Sequence, residues 1–114
     1  NSVLIDISSI KYKSFKSLSK IQNYILPICI HPMFGPGASH TMRLKTIFIP
    51  VRNYTKELEF VRELFPNFEL LPIENAIKHD HIMAVVLGLN HYINLIFADV
   101  ICDANIITNT KLAQ

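Results

Sequence analysis

The chain has 114 residues, half of them hydrophobic and 18% charged, which suits about one domain on the ~100–200 residue prior and leaves no room for two complete ones. Its mean hydropathy of +0.29 is too high for intrinsic disorder, so it folds around a core. A net charge of +2 with a pI near 8.6 is too small for a nucleic-acid binder, and Cys29 and Cys102, outside any C-x-x-C pattern, suggest a reducing, cytoplasmic compartment with neither a disulfide scaffold nor a structural zinc site.

The sequence begins at Asn1 and is already apolar and β-branched at residues 3–7, with no leader ahead of that run, as expected of the later part of a longer protein. Residues 3–7 predict a strand, and Asp6-Ile7-Ser8-Ser9 offers a place to end it and begin a helix. Over residues 10–25, Phe15, Leu18, Ile21 and Ile25 recur at helical spacing while Lys13, Lys16 and Lys20 share the other side, which predicts an amphipathic helix with a solvated lysine face. Pro27 is expected to break this helix, Ile28-Cys29-Ile30 to form a second buried strand, and His31-Pro32-Met33-Phe34-Gly35-Pro36-Gly37 to make a stiff turn. A third strand is expected over residues 46–51, with Pro50 marking an edge or a bulge. In the next helix Thr55 is the expected cap, Glu57 and Glu59 occupy the first turn, Leu58, Val61, Leu64 and Phe65 form the buried stripe, and Pro66 closes it. Residues 68–73 predict a fourth strand. The resulting order of strand, helix, strand, strand, helix, strand is that of an α/β layer with a mostly parallel sheet.

From Asn75 the composition changes to one long helical stretch over residues 75–102. Its apolar part approaches the ~20 residues needed to span a bilayer. Asn90, His91, Asn94 and Asp99 inside it are costly in hydrocarbon, however, and no aromatic belt or strongly basic flank accompanies them. The stretch therefore reads as the centre of a helical domain or dimer, with neither membrane nor nucleic acid among the expected partners.

If the first two strands are parallel neighbours, their carboxyl ends share the sheet edge at which open α/β sheets bind ligands. Ser9 and His31 then face one crevice. A serine hydroxyl that fixes one imidazole nitrogen leaves the other free to take a proton, and the histidine reference pKa of about 6.5 suits that role at neutral pH. A capping serine and a loop histidine would look the same in sequence. On the long helix, Leu87, Asn90, His91, Asn94 and Ala98 form a narrow stripe that either lines a ligand cavity or satisfies hydrogen bonds at a helix interface. His79-Asp80-His81 does not suit one metal ion, because i and i+2 on a helix point about 200° apart. With only three glycines, Gly35, Gly37 and Gly88, neither G-x-G-x-x-G nor a P-loop can be written.

Asp6-Ile7-Ser8-Ser9-Ile10-Lys11, then His31-Pro32-Met33-Phe34-Gly35-Pro36, then His79-Asp80 followed by Leu87-Gly88-Leu89-Asn90-His91-Tyr92 resemble, in this order and spacing, the prephenate dehydrogenase family. The resemblance implies the C-terminal half of a Rossmann-like α/β domain over residues 1–74. Over residues 75–114 it implies the first long helix of an all-α dimerisation domain, and hence a homodimer through residues 75–102. It further implies an NAD- or NADP-dependent oxidoreductase of tyrosine biosynthesis, which converts prephenate to 4-hydroxyphenylpyruvate, or arogenate to tyrosine, by oxidative decarboxylation. On this likeness His31 is the base to the ring hydroxyl, Ser9 orients that hydroxyl beside the nicotinamide and so meets both substrate and cofactor, and His91 faces the substrate. The family's Gly-rich nucleotide-binding half has no counterpart in this chain. Arg43, Arg52 and Arg62 do not match its carboxylate-binding arginine, and Leu87 stands where a polar residue is common. Without that guanidinium a doubly charged substrate binds poorly, so the chain by itself is expected to be catalytically incomplete. The alternative is a non-catalytic dimerising or effector-binding relative, against which the retained Ser9, His31 and His91 argue.

Overall fold

The computed structural model describes residues 2–39 and 43–104, and the chain divides into two units of which the second begins at His81. In the first unit the run Val3-Leu4-Ile5 lies in strand β1 (Ser2–Asp6), and helix α1 (Tyr12–Ser19) leads to β2 (Ile25–Pro32). The two strands pair in parallel, from Ser2 opposite Ile25 to Asp6 opposite Cys29. Helix α1 is shorter than the periodicity of residues 10–25 predicts, because Ile25 and Leu26 are taken into β2 by pairing with Ser2 and Val3. Pro27 therefore breaks no helix; it sits inside β2 opposite Leu4. The Arg52 guanidinium donates to the carbonyls of Ser19, Gln22, Ile25 and Ile21 and so satisfies the turn that ends α1.

The loop after β2 has no crossover helix among its described residues, and β3 (Leu44–Ile49) returns antiparallel, with His31 opposite Ile47 and Cys29 opposite Ile49. Pro50 lies just beyond β3. Helix α2 (Tyr54–Leu64) then crosses to β4 (Phe68–Pro72), which pairs in parallel with β3. The N-cap of α2 is Asn53 and not Thr55: its side chain accepts the Lys56 N–H at 3.0 Å. Buried Glu57 completes the cap by accepting the backbone N–H groups of Val51 (2.7 Å), Arg52 (2.9 Å) and Asn53. The sheet order is β1-β2-β3-β4, mixed, with two parallel pairings and one antiparallel. The unit is thus an α/β layer compatible with half of a Rossmann-like domain.

Strand alternation sorts the core onto one face, where Ile28, Ile30, Phe48 and Val61 of α2 are fully buried and Ile5, Leu26, Leu58, Phe65 and Leu70 pack around them. Each such side chain contributes about 1.5–3 kcal/mol by leaving water. The other face of β2 and β3 carries Cys29, His31, Ile47 and Ile49, all buried.

Helix α3 (Ala76–Met83) follows β4, then a π-helical segment, Ala84–Leu89, and helix α4 (Asn90–Asp103). In the second unit Val85, Val86, Leu89, Tyr92, Ile93, Leu95, Ile96, Phe97 and Val100 are exposed. The helical residues Ala76–Asp103 are long and apolar enough to cross a membrane by length and composition. The predicted stripe begins at Asn90, not Leu87, because Leu87 lies in the π segment, whose wider turn offsets it from α-helical spacing. Residues 105–114 of the expected helical domain lie outside the described residues.

Candidate functional site

The parallel pairing of β1 and β2 brings Asp6 and His31-Pro32 to the same sheet edge. There Lys11, its side chain fully buried, donates from Nζ to the Asp6 carbonyl (3.2 Å), to Asp6 Oδ2 (3.0 Å) and to the Ile30 carbonyl, tying the ends of the two strands together. Ser8 donates its N–H to Asp6 Oδ1 and its hydroxyl to Asp6 Oδ2, both at 3.1 Å. Burial pushes the Asp6 carboxyl up, but the Lys11 ammonium and the hydrogen bonds of Ser8 and Ser14 outweigh it and hold Asp6 below the usual carboxylate range. Cys29 Sγ lies 3.9 Å from Asp6 Oδ2, and burial pushes the thiol up to about 12 despite the nearby Lys11, which makes it an inert thiol.

His31 ends the buried run of β2 and is 6% exposed, against 0% for His79. Its Nδ1 lies 3.0 Å from His79 Nε2, with the rings edge to face at 68°. On its other side, His79 Nδ1 lies 2.8 Å from Asp80 Oδ1. Asp80 in turn accepts the backbone N–H of Lys11 at Oδ1 (2.8 Å) and of Tyr12 at Oδ2 (2.9 Å), so it caps α1, whose own N-cap residue Lys11 offers no side-chain acceptor. A carboxylate at a helix N-terminus is favoured by the two free N–H groups and by the helix dipole. Burial raises the Asp80 carboxyl, but the Lys11 and Tyr12 amides and His79 outweigh it and hold it below the usual range. His31 is held below the ordinary histidine value by burial first, then by His79 and Lys11, with Asp80 pulling the other way.

Ser9 and His31, expected to meet, are not hydrogen-bonded: Ser9 is exposed in the β1–α1 loop, and it is His79 that engages one of the His31 ring nitrogens. Ser8, its neighbour, holds the Asp6 corner instead. His91 lies exposed in α4, in the second unit, with Asn90, Asn94 and Ala98 at α-helical spacing around it. His79 and Asp80 were legible only as a motif without a role. The signal for His79 was its place three residues after Ala76, the other buried residue of α3. His81 is exposed while His79 is buried, in line with their opposed directions.

Directly after His31-Pro32 a depression is lined by Met33, Phe34, Gly35, Arg43 and Lys45. The described residues do not fit the phosphates of a dinucleotide. The glycines among them are Gly35, Gly37 and Gly88, and these do not form the glycine-rich strand-to-helix turn through which a pyrophosphate approaches the backbone.

No family model matches the chain. It is 31% identical over 97 residues to a protein of Methanocaldococcus jannaschii named "Probable arogenate/prephenate dehydrogenase". The similarity takes in 79% of this chain and 21% of that protein, so the chain spans about a fifth of the length of the curated relative it matches.

Proposed function

We propose that the chain is the catalytic middle of an oxidoreductase of the prephenate dehydrogenase family, acting on prephenate or arogenate. The observation that carries this is His31, buried at the carboxyl-end edge of a parallel strand pair and held through one ring nitrogen. The similarity to a protein named a probable arogenate/prephenate dehydrogenase supports this substrate class. A nicotinamide dinucleotide, NAD or NADP, would supply the hydride acceptor when bound, its phosphates held by residues other than the described ones.

This chain's part is the proton. His31 takes the ring hydroxyl proton as the carbinol carbon is oxidised. The carboxylate then leaves as carbon dioxide, and the electron pair of the broken C–C bond restores the aromatic ring as a phenolate. The histidinium returns its proton to that oxygen, so the step is proton-neutral overall. Ser9, on the loop beyond β1, is assigned to the hydroxyl and the nicotinamide, and His91 to the substrate. The exposed apolar residues of the helical stretch are assigned to a homodimer contact, since single-chain burial leaves them in water.

In the full-length protein that carries the chain, His31→Asn lowers turnover of prephenate or arogenate by the ~100- to 10,000-fold typical of a lost general base and leaves cofactor affinity nearly unchanged. Near-normal turnover would remove His31 from the chemistry. The alternative is a non-catalytic dimerising or effector-binding relative of the family. Substrate binding without reduction of either cofactor by the full-length protein would select it.

A further inference from the structure

We propose that His79 and Asp80 are positioning residues that hold His31 as its Nδ1–H tautomer and leave Nε2 as the bare nitrogen that receives a proton. The use of that nitrogen as a base rests on the function proposed above; the tautomer itself rests only on the hydrogen bonds. Asp80 accepts two backbone N–H groups, from Lys11 and Tyr12, and an ionised carboxylate has only lone pairs to offer. Its 2.8 Å contact with His79 Nδ1 therefore places a hydrogen on that nitrogen. A neutral imidazole protonated at Nδ1 presents a lone pair at Nε2, so the hydrogen in the 3.0 Å contact with His31 belongs to His31 Nδ1. His31 Nε2 is then left without a hydrogen.

The arrangement also serves the charged state. When His31 takes a proton at Nε2, its Nδ1–H becomes a cationic donor to His79. The Asp80 carboxylate lies at the far end of the same chain of hydrogen bonds and favours the new positive charge. His79 touches neither substrate nor cofactor in this scheme and acts through His31. The logic is that of a buried carboxylate orienting a catalytic imidazole, extended by one ring.

Long-range proton–nitrogen spectra of the nitrogen-15-labelled chain at neutral pH read the tautomer of each ring without any substrate. The expected result is a protonated Nδ1 and a bare Nε2 on both His31 and His79. A His31 protonated at Nε2 would overturn the proposal, whether it arose from a His79 imidazolium donating to a bare Nδ1 or from the opposite neutral pair. Because this is read on the unaltered chain, it does not depend on whether a variant folds. His79→Phe, which keeps a ring but removes its acceptor, shifts His31 toward the Nε2–H form that free imidazole prefers; an unchanged tautomer counts against the assignment. In the full-length protein His79→Phe lowers kcat on the order of 100-fold with KM nearly unchanged, and His79→Gln, whose carboxamide oxygen can still accept, recovers part of it. Equal losses in both variants would leave His79 a packing residue only. A confirmed tautomer together with normal turnover in His31→Asn would sink the function proposed above and leave this inference standing.

Discussion

Burial first, with Lys11 nearby, disfavours the His31 cation more than Asp80 favours it, which holds the ring below the ordinary histidine value. The acid limb of kcat/KM in the full-length protein is therefore expected below the ordinary histidine value of about 6.5, and a pH profile checks it. The same shift has a sign for stability. Between the native value of His31 and about 6.5 the unfolded chain binds more protons than the folded one, so stability falls as pH drops through that window. Asp6 and Asp80, both lowered, add to this only further into acid, as pH falls below the usual carboxylate range. Lys11 sits in a different balance. Lys11→Met leaves the Asp6 carboxylate and the Ile30 carbonyl without their buried donor, and the expected cost is roughly 3 kcal/mol, at the low end for a broken buried pair because Asp6 still meets water. Urea denaturation measures it. His31 was legible in sequence because it closes a buried apolar run and precedes a proline. The role of His79 was not, because its bonds reach from α3 to β2, 48 residues apart, and no local pattern encodes that distance.

Element ends show the same division. The strands and helices could be read in order from apolar periodicity, but α1 stops at Ser19 because pairing with β1 claims Ile25 and Leu26, a tertiary effect that helical spacing cannot register. The cap of α2 was misplaced for a related reason. Asn53 is an ordinary N-cap residue, but Glu57 collects three backbone donors only because the chain folds back at Val51 and Arg52. Glu57→Gln sets an amide donor against one of those N–H groups, and an expected loss of about 1–3 kcal/mol should appear as a lower urea midpoint with an unchanged slope. In the long helical stretch the exposed apolar residues are the ones that the proposed homodimer would cover. Sedimentation at micromolar concentration without detergent is expected to give a dimer; a well-behaved monomer would set that assignment aside.

At the scale of the first unit, the mixed sheet follows from its connections: helices α1 and α2 each link a parallel pair, while the loop between β2 and β3 turns the chain back. A mostly parallel sheet was therefore a fair expectation, and its one antiparallel step depended on a connection whose direction composition does not reveal. The core beneath α2 is small, so Phe48→Ala, at 0% exposure, is expected to cost about 3–5 kcal/mol and to unfold a large share of the molecules at ambient temperature. Calorimetry would register it as a lost or strongly lowered transition. Asp80 gives the unit one further property. The same carboxylate that caps α1 also holds His79, so fraying of the first turn of α1 is expected to release His79 in the same event. Hydrogen exchange at the amides of Lys11 and Tyr12 would then track the fraction of molecules in which His79 is held, which under the proposed function is the fraction in which His31 is poised to take a proton.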